Sequence, residues 1–192
     1  RRLHHHRRLA NPHPFARSLD GWKPGTVREL LLSQLDVVWG FGTRFVVGQV
    51  DVPLALWEPS GNVVSVRQTA AGWVADWPDE ERPPLPDPTI GWLLWHIEWW
   101  WNNAANAVEG RAAQTPGQAR WSGSTNGLVA AHERWLSILT SCDLDASVTG
   151  LMPQPRPLWF VASWVNFELT KNLAEINQLK LQHANRRADA GT

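Results

Sequence analysis

The sequence predicts an all-α protein: an antiparallel four-helix bundle with a long first crossover and a small β-hairpin inside that connection. Three observations point there. Four segments carry apolar residues at helical spacing, no stretch sustains strand-like alternation for long, and glycines, prolines and acids punctuate the rest. At 192 residues the chain has the length of one domain with a real core. It shows no internal repeat.

Residues 1–25, which open "RRLHHHRRLANPHPFARS", lack apolar periodicity and read as a disordered basic tail. A metal-binding histidine tract and an arginine-rich targeting segment are the other readings. The bundle is expected over residues 26–185, with a C-terminal tail over 186–192. Its first helix runs from about Thr26 to Val47 on the stripe Leu31, Leu35 and Val38, weakened towards its end by Gly40 and Gly42. In the connection that follows, "VVSVRQ" and "GWVADW" flank "TAA" and predict the hairpin. The acidic, proline-rich "DWPDEERPPLPDP" is expected as a surface loop.

The second helix is expected from Thr89 to Glu109, with Asp87 and Pro88 as start signals and Gly110 as the stop. The third covers Ser124 to Ser141, with Leu128, His132, Trp135, Leu136 and Leu139 on one face. The fourth covers Leu158 to His183 on the stripe Val161, Val165, Leu169, Ile176 and Leu179, behind a loop closed by Pro153, Pro155 and Pro157.

Charge and cysteine usage exclude several classes of function. The chain is neutral overall, but residues 1–28 carry a net +6 and the remainder −6. An acidic body argues against a nucleic-acid surface, which needs clustered Lys and Arg. Cys142 is the only cysteine, so no intrachain disulfide forms, and a reducing cytoplasm is expected. The apolar run Ile90 to Trp101 falls short of the ~20 residues that span a bilayer and contains His96 and Glu98. It is expected as a buried helix, with no membrane partner. Cys142 has acids beside it, which raise a thiol pKa, and there is no phosphate-binding glycine loop or nucleophile elbow.

A helical wheel locates polar residues on apolar faces. Trp92, Leu93, Trp99, Trp100 and Asn103 fall within about 60° of His96, which therefore sits in an aromatic arc. Glu98 falls about 160° away and is expected as a solvated surface acid outside any site. On the fourth helix, Val161, Trp164, Asn172, Glu175 and Leu179 fall within about 40° of Glu168, and Lys171 about 60° round. A buried carboxylate needs a partner: a cation such as Lys171, a metal, a protonated histidine, or its own proton. His96, Glu168 and Asn172 can meet across a bundle core, with His132 a further candidate. The sequence alone does not fix which of the four converge. An inward histidine is also an ordinary hydrogen-bonded core residue, and the tryptophans are core and pocket wall.

"LWEPSGNVVSVR", "GWVADW", "TIGWLLWHIEWWWNNA" and "WVNFELTKNLAEINQLK" together resemble the DinB-like family of bacterial four-helix bundles over about residues 26–183. That family includes mycothiol- and bacillithiol-dependent transferases. The resemblance implies a divalent metal, zinc or nickel, held by a second-helix histidine and two fourth-helix residues one turn apart. These positions match His96, Glu168 and Asn172. The usual His-His pair is here Lys171 and Asn172, and a neutral amide oxygen is a poorer ligand for zinc or nickel than imidazole.

Two functions follow from the resemblance. In the first, a metal-dependent thiol S-transferase or isomerase uses a low-molecular-weight thiol. His96, Glu168 and Asn172 hold the ion, Lys171 and His132 assist catalysis, and Trp92, Trp99 and Trp100 hold the cofactor or an apolar substrate portion. In the second, the metal site is degenerate and the bundle binds a small ligand or pairs with a second copy of itself.

Overall fold

In a computed structural model the described residues are 25–77 and 83–190. The expected basic tail, up to residue 24, and residues 78–82 of the acidic loop lie outside them. Helix α1 (Val27–Phe41) starts at Thr26, whose hydroxyl accepts from the Glu29 N–H at 3.2 Å. It runs on through a π-helical turn (Gly42–Val46) and a 3-10 turn (Val47–Gln49). Gly42 has a packing reason: any Cβ there would overlap the Leu173 side chain.

After the short α2 (Val52–Ala55) come β1 (Val63–Val64), β2 (Val66–Thr69) and β3 (Gly72–Ala75). β2 and β3 form the expected antiparallel hairpin, with Val66 opposite Ala75 and Thr69 opposite Gly72. "VVSVRQ" is two strands rather than one, because β1 pairs in parallel with β4 (Asp87–Pro88). That pairing fixes the entry to α3 (Ile90–Val108). Buried Thr89 donates its N–H to the Val64 carbonyl at 3.0 Å, and its hydroxyl caps α3 by accepting from the Trp92 N–H at 3.2 Å. Helix α4 (Asn126–Ser141), strands β5 (Ser147–Val148) and β6 (Arg156–Pro157), and α5 (Leu158–Ala190) complete the chain. α5 extends past its expected end at His183 into the segment expected as a tail.

The fold is mainly helical, with α1, α3, α4 and α5 packed around one core. The expected antiparallel bundle with a long first crossover differs in direction from the fold, in which two neighbouring pairs are parallel and the second connection is the one that joins parallel helices. Asn166 donates to the Leu31 carbonyl at 3.0 Å, and Lys180 to the Phe45 and Val46 carbonyls at 2.9 and 2.7 Å, so α1 and α5 run parallel. Glu98 lies against Gly127, while Arg134 reaches Asn106 at 2.7 Å and Glu109 at 2.8 Å, so α3 and α4 are parallel too. Arg28 of α1 donates to the carbonyls of Leu139 and Cys142 at the far end of α4, and Trp39 stacks on His132; this pair is antiparallel. Parallel neighbours cannot be joined by a tight turn. Residues 109–125, the second connection, must therefore travel the length of the helices. Hydrophobic periodicity predicts helices but carries no information about their direction.

Glu98 corrects a second expectation. It is only 7% exposed, because α3 is covered on the α4 side as well as the α5 side. Its carboxyl lies where a Gly127 side chain would be, and no cation faces it among the described residues. Burial pushes its pKa up to about 8 from the ordinary 4.5. The unfolded chain releases this proton near pH 4.5, whereas the fold holds it to about 8. The contribution to stability is complete below 4.5 and is lost as pH rises through 8. Unfolding free energy should fall by on the order of 4 kcal/mol across that window, and chemical denaturation at stepped pH should show Glu98→Gln lacking the slope. Gly127→Ala should destabilise by ~1–3 kcal/mol through overlap with this carboxyl, against the ~1 kcal/mol that helix propensity alone would add.

Candidate functional site

α3 and α5 pass antiparallel at Trp100 and Trp164, whose rings meet edge to face at 5.6 Å. One turn further along each helix, in opposite directions along the chain, stand His96 and Glu168. Both line a cleft of about 550 Å³ with Trp99, Trp100, Asn103 and Trp164. Segments 111–116 and 149–151 close its other side.

The imidazole of half-buried His96 stacks on Trp92 at 4.8 Å and lies 5.9 Å from the Trp99 ring. Both indoles are pinned. Trp92 donates its ring N–H to the Asp76 carbonyl at 2.7 Å, tying the hairpin to α3, and Trp99 donates to the Gln114 carbonyl at 2.7 Å. Asn103 clamps the same residue, donating to the Gln114 carbonyl at 2.9 Å and accepting its N–H at 2.8 Å. The second connection thus becomes a wall of the cleft.

Glu168 is paired. Lys171 Nζ lies 2.7 Å from its Oε2, with the lysine half exposed and the carboxylate largely buried. Asn172 is 1% exposed; its amide turns back along α5 and donates to the Glu168 backbone carbonyl at 2.7 Å. It does not line the cleft, nor do Trp92 and Lys171. His132 is not brought there either. It stacks on Trp39 at 4.2 Å, nearly coplanar, with the Trp101 edge at 6.1 Å. Burial lowers its pKa, opposed by the nearby charges of Glu133 and Asp36. Of the expected site residues, the cleft therefore gathers His96, Glu168, Trp99 and Trp100.

Sequence reasoning missed the polar end of the cleft. Glu109 receives two guanidinium groups: Arg134 at 2.8 Å and Arg111 at 3.0 Å. The hydrogen bond from Arg134 leads the causes that hold the Glu109 carboxyl below its ordinary range. Arg134 is also engaged by Asn102 and Asn106. Arg111, on the cleft wall, uses only Nε, and among the described residues its terminal nitrogens have no partner. Two cations on one carboxylate leave a positive charge over. Nothing in the sequence marks Arg111, a lone arginine after a helix-ending glycine.

Among the described residues, no three His, Cys, Asp or Glu side chains gather as a metal-holding group. Glu168 already gives one oxygen to an ammonium, and Asn172, outside the cleft lining, donates its Nδ2 to its own helix. An ammonium on the carboxylate and a neutral amide in place of an imidazole make this set a poor fit for a divalent ion as it stands.

The chain matches the model of the DinB superfamily over residues 56–176. No curated protein and no solved structure matches the chain. The matched span includes His96, Glu168, Lys171 and Asn172, and the chain belongs to the DinB superfamily.

Proposed function

We propose that this DinB-superfamily protein binds a small organic anion in the α3–α5 cleft, and that Lys171 supplies Glu168 with the positive charge for which its relatives use a metal. The observation that carries this reading is the Lys171–Glu168 contact at 2.7 Å, beside an Asn172 that does not line the cleft and donates its Nδ2 to its own helix. Trp99, Trp100 and Trp164 offer flat apolar walls to a ring or hydrocarbon portion. The free edge of Arg111 matches a carboxylate, phosphate or sulfonate. His96 presents an imidazole to the cleft, a group able to accept or donate a proton.

Thiol transfer is the second reading, favoured by His96 standing on the cleft wall. The thiol proton would pass to the imidazole, the thiolate would attack an electrophilic carbon held against the tryptophans, and the bond from that carbon to its leaving group would break as the leaving group takes the proton back from the imidazole.

Two experiments test the assignment. In titrations followed by tryptophan fluorescence, 4-phenylbutyrate should bind at least ~10-fold more tightly than its amide, and Arg111→Gln should erase the difference. Equal affinities in the wild type would remove the anion from the proposal. The combined change Lys171→Gln with Asn172→His frees Glu168 and restores an imidazole, and should raise zinc or nickel affinity at least ~100-fold by calorimetry. A wild-type protein that purifies with stoichiometric metal, lost in His96→Ala, would overturn the lysine-for-metal reading.

A further inference from the structure

The cleft is drawn out along α3, and its two ends differ in charge. His96, Trp100, Asn103 and Ala107 all line it, at the spacing of one helical stripe. At 1.5 Å per residue that stripe extends over ~16 Å. The facing wall retraces it. The Arg111 N–H donates to the Asn106 carbonyl at 2.8 Å, Asn106 donates to the Ala112 carbonyl at 3.2 Å, and Gln114 accepts from Asn103 and Trp99. Residues 111–116 therefore run back along the helix towards His96. A volume of about 550 Å³ spread over this length makes a slot that receives one chain or one ring lengthwise.

One end of the slot is cationic. Two guanidinium groups share Glu109, and Arg111 brings the charge left over to the wall. The other end carries the Glu168–Lys171 pair, whose charges cancel at 2.7 Å. Between the ends lie Ala107 and the indoles of Trp100 and Trp164, an apolar stretch with no charged side chain.

We infer that the slot takes a linear ω-hydroxy carboxylate about ten to twelve carbons long, the length at which an extended chain covers ~16 Å. Its carboxylate pairs with Arg111, its methylenes lie along Ala107, Trp100 and Trp164, and its hydroxyl donates to the Glu168 carboxylate. The inference rests on the anion reading of this cleft and adds the length and far-end chemistry of the ligand. Charge selects the class. A dicarboxylate would bring a second negative charge against Glu168, and an ω-amino acid would bring an ammonium into competition with Lys171. A compact anion would leave the tryptophans at the far end uncovered.

Calorimetric titration of the full chain with 6-hydroxyhexanoate, 8-hydroxyoctanoate, 10-hydroxydecanoate and 12-hydroxydodecanoate tests the inference. Affinity should rise roughly 3-fold per added methylene until the slot is filled. The terminal hydroxyl should weaken the shortest acid relative to hexanoate, yet strengthen one of the two longest relative to its plain alkanoate by ~5-fold. Glu168→Leu should abolish that long-chain preference. Ala107→Phe, at a half-buried position midway along the slot, should flatten the length series. Should Glu168→Leu not fold, the hydroxyl-against-methyl comparison in the wild type and the Ala107→Phe series still decide.

Acids that bind more tightly than their amides but with no dependence on length overturn the slot and leave the anion reading standing. Long acids that bind no better than their amides remove the anion reading and this ligand class together. A length series unmoved by Ala107→Phe also overturns the proposal, because the chain would then lie elsewhere, as in the apolar groove between α1 and α5.

Discussion

The arrangement depends on α3 having no solvent side. Leu93, Leu94, Trp95, Ile97, Trp100 and Trp101 are all buried, so neighbours must cover the helix around most of its circumference. α4 covers one side and α5 the other, and these two sides carry different chemistry. Towards α4 runs a polar seam of Glu98, Asn102, Asn106 and Glu109, answered mainly by Arg134. Towards α5 runs the aromatic row that ends at His96. A helix with a single buried stripe could have built only one of these surfaces.

This double burial also explains which features were legible in the sequence. The helices follow from spacing that a 3.6-residue period makes visible, and their capping and stop residues lie close to the observed ends. His96 was legible as an inward residue among tryptophans, because a wheel reports angles faithfully. Glu98 was not, because the wheel gives its direction and not what covers that direction. Helix polarity was invisible for a related reason: it is decided by contacts such as Asn166 with Leu31 and Arg28 with Cys142, far apart in sequence.

The site was legible in its anchor residues and obscure in its details. Glu168 was seen to need a partner, and Lys171, one turn on, is that partner. The turn of the Asn172 amide onto the Glu168 carbonyl is a rotamer choice inside one helix, and no pattern of residue types encodes it. Arg111 reaches the cleft only because the second connection runs back along the helices, bringing Gln114 under Asn103 and Trp99. An ammonium held by a carboxylate neutralises charge, but it lacks the empty orbitals through which a divalent ion would draw two or three ligands together. The opposite cleft wall stands by packing and by hydrogen bonds to Gln114.

The parallel pairing of α1 with α5 bears on how the molecule is made. Their contacts join residues up to 135 apart, such as Asn166 and Leu31. No local helical hairpin can close the core, because α1 meets its parallel neighbour only once α5 has been made. Until then α3 has α4, α2 and the hairpin beside it but lacks its α5 wall. Late closure over long sequence separations slows folding and prolongs the exposure of sticky surface. The same topology that encloses the cleft thus makes the newborn chain dependent on α5, more than a hundred residues after α1.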